Sequence, residues 1–87
     1  MTYRVDTRDE GGTVVLELQG LLDRKALSEI RIHCTTPVLR GLPVRLVVRF
    51  GTEVEPGCLQ ELARLPGVEL VAEAPFLRRW LERRRLV

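Results

Sequence analysis

The sequence predicts an α/β protein in which a four-stranded mixed sheet, in the order ββαβαβα with strands two to four parallel, carries its helices mainly on one face. Several segments alternate apolar and polar residues, as a half-buried strand does. Others repeat apolar residues every three to four positions, as one face of a helix does. From the second strand on, each strand is separated from the next by a helix, which makes them parallel through right-handed crossovers. A sheet covered on both faces reads as continuous apolar runs. Here Glu17, Arg45, Arg49, Glu69 and Glu73 recur at alternate positions instead, which predicts one open face with cross-strand charge pairs.

The first strand is a weak alternation from Tyr3 to Thr7, and Asp9-Glu10-Gly11-Gly12 supplies the glycines of a tight hairpin turn. The second strand, Thr13 to Gln19, points Val14, Leu16 and Leu18 one way and Val15, Glu17 and Gln19 the other. Asp23 then caps a helix whose apolar stripe is Leu27, Ile30, Cys34 and Val38, and Gly41 ends it. Pro37 removes a backbone hydrogen bond, so a kink or break is expected near Thr35-Thr36, with Thr36 capping a short last turn. Val44 to Phe50 and Val68 to Ala72 are the remaining strands. Pro56 opens the helix between them, with Cys58, Leu59, Leu62 and Leu65 on one face, and Pro66-Gly67 stops it. Pro75 opens the last helix, whose stripe is Phe76, Leu77, Trp80 and Leu81. Leu27, Ile30, Leu59, Leu62, Phe76 and Trp80 are the expected helical core.

With 87 residues, the chain has room for one core, and one domain over residues 1–87 is expected. At 45% hydrophobic and 30% charged it should fold. The net charge of +2 sets fourteen basic against twelve acidic residues, which is not by itself a nucleic-acid-binding composition. The one basic concentration is Arg78, Arg79, Arg83, Arg84 and Arg85, suited either to a polyanion or to the solvated face of a terminal helix. Two cysteines, no apolar run of membrane-spanning length and no signal-peptide core predict a cytoplasmic protein with reduced thiols.

Reactive side chains are few. His33 and Cys34 are helix neighbours about 100° apart, poorly placed to act on each other. One His with two distant Cys lacks metal-ligand spacing, so no metal and no other cofactor is expected. Cys58 in a first helical turn reads as a redox thiol or, by its periodicity with Leu62 and Leu65, as core. Trp80 among arginines suits base stacking, but its helical spacing assigns it to the core. The chain is not expected to be an enzyme.

Val14 to Asp23, a strand ending in Gly20, two residues and Asp23, and the pair Val68 to Val71 with Ala74-Pro75 to Glu82, resemble the STAS domain of bacterial anti-sigma factor antagonists. The family's functional loop, Asp-Ser-Ser-Gly or Asp-Ser-Thr-Gly, corresponds to Val54-Glu55-Pro56-Gly57, where only the glycine is kept. The resemblance implies a signalling domain that binds a protein partner (an anti-sigma-like kinase, an ATPase subunit or a signalling assembly) through residues 51–65. Glu53, Val54, Glu55, Pro56, Gly57, Gln60 and Glu61 are the implied contacts, and a homodimer is a further candidate assembly. Glu55 occupies the phosphoacceptor position and cannot accept phosphate. It stands either as a fixed anion at a helix N-terminus or as an ordinary helix-start residue. The alternative function is a basic-helix adaptor that binds nucleic acid or another polyanion through the C-terminal arginines; specific nucleic-acid binding and membrane insertion are not expected.

Overall fold

The computed structural model describes residues 3–85, with side chains up to residue 83. Strands β1 (Tyr3–Glu10) and β2 (Thr13–Leu22) form an antiparallel hairpin, followed by α1 (Arg24–Leu39), β3 (Val44–Val48), β4 (Glu53–Val54), α2 (Pro56–Ala63), β5 (Val68–Ala72) and α3 (Pro75–Arg85). Gly11 and Gly12 both have positive φ, 57° and 93°, as a two-residue hairpin turn of the twist-matched kind requires. Asp9 Oδ1 accepts the Gly12 N–H at 3.0 Å and fixes the turn.

The sheet order is β1-β2-β3-β5, with β3 parallel to both β2 and β5. Register places Leu16, Leu46 and Leu70 in one row and Leu18, Val48 and Ala72 in the next, all buried. All three helices pack on these rows: Ala26, Leu27, Ile30 and Cys34 from α1, Cys58, Leu59 and Leu62 from α2, and Leu77 from α3 join the same core. The other face carries the expected charge pairs. Arg45 meets Glu69 at 3.1 Å, Arg49 meets Glu73 at 3.0 Å and Glu17 at 2.7 Å, and Arg8 also pairs with Glu17. The fold class and its open face are as the alternation predicts.

Three features differ. A fifth, two-residue strand, β4, pairs parallel with the end of β2 through Leu21–Glu53 and Leu22–Val54, too short for any periodic signal. The first helix is not broken before Pro37; it runs to Leu39, because a proline three residues from the end forfeits one bond while the last turn is closed by Arg40 N–H to Thr36 and Pro37 carbonyls. Thr36 therefore caps nothing, and Asp23 caps the start as expected, its Oδ1 accepting Ala26 N–H at 3.0 Å. Phe76 is 78% exposed and belongs to no core. α3 lies against the edge strand β5, so it buries Leu77, covers Trp80 and Leu81 in part, and leaves the flank bearing Phe76 exposed. Among the described residues, no helix is long and apolar enough to cross a membrane.

Candidate functional site

The stretch that links β3 to α2 is held from both sides. Thr52 N–H donates to Arg49 C=O at 3.1 Å, closing a turn that puts Phe50 outward, 77% exposed. Gly51 sits at the turn's third position with φ 86°, the left-handed conformation that such a turn needs. Glu73 Oε1 accepts both the Phe50 N–H at 2.9 Å and Arg49 Nε at 3.0 Å. Those contacts explain the Glu73 carboxyl, which lies below its usual range mainly because of the Phe50 N–H, then Arg49, against an opposing push from burial. Thr52 Oγ1 donates to Leu18 C=O at 3.1 Å, so the stretch's one hydroxyl is tied to β2.

β4 then carries the chain to Glu55, whose N–H donates to Leu22 C=O at 3.1 Å. Glu55 is the N-cap of α2 in extended conformation, and its side chain makes no capping bond. The carboxylate stays exposed, with Oε2 4.0 Å from Cys58 Sγ. Pro56 at the first helical position has no N–H to leave unpaired. Burial raises the Cys58 thiol, and the negative charges of Glu55 and Asp23 add to it, with Arg24 opposing. A buried thiol held protonated is a core side chain, not a redox nucleophile.

Across from α2 stands α1. Arg24, Leu27, Ser28 and Arg31 face Glu55, Gly57, Cys58 and Glu61 over a groove of about 500 Å³. Arg31 is ion-paired to Glu61 across this groove. Of the sequence-predicted contacts, Glu53, Glu55, Pro56, Gly57 and Gln60 are exposed, while Glu61 is half-buried under Arg31. Val54 is the exception: its side chain packs against the core, so it anchors the loop from below. Arg24, Ser28, Arg31 and Phe50 are the site residues that sequence reasoning missed. The first three were marked only by their spacing of four and three on one helical face.

The remaining candidates lie elsewhere. His33 is exposed and Cys34 buried, on different sides of α1, and burial pushes the Cys34 thiol up to about 11. Among the described residues, no three His, Cys, Asp or Glu side chains gather as a metal site. The α3 arginines do not form one free row. Arg78 turns back to donate to the Ala72 and Glu73 carbonyls at 3.4 and 3.2 Å, while Arg79 and Arg83 are exposed. The side chains of Arg84 and Arg85 lie outside the described residues.

No protein-family model matches the chain, and no curated protein matches its sequence. Among solved structures, the crystal structure of an anti-sigma factor antagonist from Mycobacterium paratuberculosis matches with a TM-score of 0.67 at 21% identity, over 98% of this chain and 80% of that one. The fold is STAS-like. The likeness spans the sheet and all three helices, so the STAS-like core extends over the whole of the described chain. In this STAS-like fold the Glu55 loop is the junction that delivers the chain from β4 into α2, open to solvent on its outer side.

Proposed function

We propose that this protein is a non-catalytic regulatory domain that binds a protein partner through the β3–α2 loop and the first turns of α2, without a phosphorylation switch. One observation carries the reading: the loop offers an exposed carboxylate with no capping bond beside a hydroxyl that is already engaged. Glu55 heads α2 with its carboxylate exposed and outside any capping bond, where the partial positive charge of the helix start favours an anion. Thr52, the only hydroxyl between Gly51 and Gly57, is engaged with the Leu18 carbonyl. A fixed negative charge thus stands where a switched one would otherwise be needed. Phe50 extends the surface with an exposed aromatic ring on a braced turn, the kind of anchor that protein interfaces favour. Free, buried Cys34 and Cys58 suit a reducing cytosol.

By analogy with the anti-sigma factor antagonist whose fold this chain shares, the partner is an anti-sigma factor or a signalling assembly built like one. A photo-crosslinking residue at Gln60 should trap it, whereas the same residue at Arg79 should not. Glu55→Ser is expected to change partner affinity by about two- to fivefold, the equivalent of one charge at a helix end. The natural protein, recovered from its cells, should show its unmodified intact mass. A phosphoryl group on Thr52 or Ser28 would restore a regulated switch and end the proposal.

A further inference from the structure

We propose that the outer edge of β1 is a homodimer interface, at which a second copy adds its own β1 antiparallel across a two-fold axis at Thr7 and joins the two sheets into one. β1 is one of the two edge strands, eight residues long and paired one-to-one with β2 from Tyr3 to Glu10, without a bulge. It contains neither proline nor a bulge, and its charges alternate in sign along the open face, so they block pairing only where like charges would meet. The two-residue turn makes Glu10–Thr13 the hydrogen-bonded pair that closes the hairpin. Pairing alternates from there, so Tyr3, Val5, Thr7 and Asp9 direct their backbone N–H and C=O groups away from β2.

The side chains specify the register. On the open face β1 presents Arg4, Asp6, Arg8 and Glu10, alternating in sign. With the two-fold at Thr7, Arg4 stands opposite Glu10 of the second copy and Asp6 opposite Arg8, and the symmetry repeats both pairs. Every charge on the row meets its opposite. Thr7 also has the outward backbone that the central hydrogen-bonded pair needs. Moving the axis one residue either way, to Asp6 or Arg8, sets like charges face to face, which opposes pairing. Axes at Val5 or Asp9 restore opposite signs only over a shorter overlap. These charges stay within reach of a second copy: Arg4 and Asp6 are mostly exposed and, among the described residues, pair with each other, while Arg8 and Glu10 are about half exposed, Arg8 holding Glu17 and Glu10 of its own chain and meeting Asp6 of the second copy beside them. A one-sign edge would repel its copy, whereas this alternation is complementary to itself under the symmetry of a two-fold.

Oligomeric state tests this without any partner protein. Sedimentation of the natural chain, up to about 1 mM, should show a monomer–dimer equilibrium that strengthens as salt is lowered. Asp6→Arg with Glu10→Arg makes the row uniformly basic and should leave only monomer. Thr7→Cys, a mild change, should form an intermolecular disulfide on oxidation, since opposed residues fall within disulfide reach. Val5→Cys should not, because its copy lies about 13 Å away along the strand. The two native thiols are buried and do not compete. A natural chain that stays monomeric throughout, a dimer that survives the double arginine substitution, or crosslinking through Val5→Cys in preference to Thr7→Cys would each overturn the proposal.

Discussion

The two faces of this sheet are built from the same strands at alternate positions, yet they are held by different physics. The covered face stacks Leu16, Leu46 and Leu70 beside Leu18, Val48 and Ala72, and excludes water without directional contacts. The open face relies on direction: Glu17, 16% exposed, accepts from Arg8 and Arg49, and Arg49 reaches on to Glu73. Even so, an apolar element persists there. Val15 is 1% exposed but stands outside the main core cluster, in register between Arg8 and Arg45. Arginine stems lie over apolar neighbours while their charged ends stay wet. A valine is thus buried between two ion-paired arginines on the face that the helices leave open.

The sharpest way to break this contrast is to shorten one buried leucine. Leu46→Ala, at a fully buried position, should destabilise the fold by about 2–5 kcal/mol in urea unfolding. A loss under about 1 kcal/mol would mean that the covered face does not dominate. Glu17→Gln removes the hub of the open face and should cost less, about 1–2 kcal/mol, with both arginines still able to reach solvent. Were it to match Leu46→Ala, the two faces would be energetic equals. Smaller again is Arg45–Glu69, whose half-exposed partners should show a coupling of about 0.2–1 kcal/mol in a double-mutant cycle, vanishing at high salt.

The last test uses pH. The folded Glu73 carboxyl lies below its unfolded value, so its contribution is complete above the unfolded pKa and is lost as pH falls through the folded one. Glu73→Gln should therefore lower stability at neutral pH slightly, leave it unchanged in strong acid, and so flatten the acid limb. An acid limb that keeps its slope would place the linkage on another carboxylate.

Much of the sheet was legible because period-two alternation records which side of a strand is covered. Leu16, Leu46 and Leu70 could be assigned from spacing alone, as could the outward Arg45 and Glu69. Phe76 misled because helical spacing reports which residues share a face, not whether a neighbour exists to cover it; α3 sits on an edge strand. Pro37 misled because the cost of a proline depends on how many turns follow it. The loop position of Glu55 was readable, whereas the groove was not: Arg31 and Glu61 meet across thirty residues of chain. Such a contact exists only after α1 and α2 have docked. The inward lean of Val54 was not legible either, since a two-residue strand has no pattern from which to read direction.

The two buried thiols give the chain an internal stopwatch. With the Cys34 thiol pushed to about 11, only about one molecule in 10⁴ carries a thiolate there at neutral pH, and an alkylating reagent must wait for α1 to leave the core. Cys58 sits in the first turn of the shorter α2, beside the exposed Glu55 loop. Its alkylation times the opening of that turn, while Cys34 times the opening of the longer α1. The ratio of the two labelling rates in one tube measures whether the proposed binding loop breathes on its own or only when the whole protein lets go.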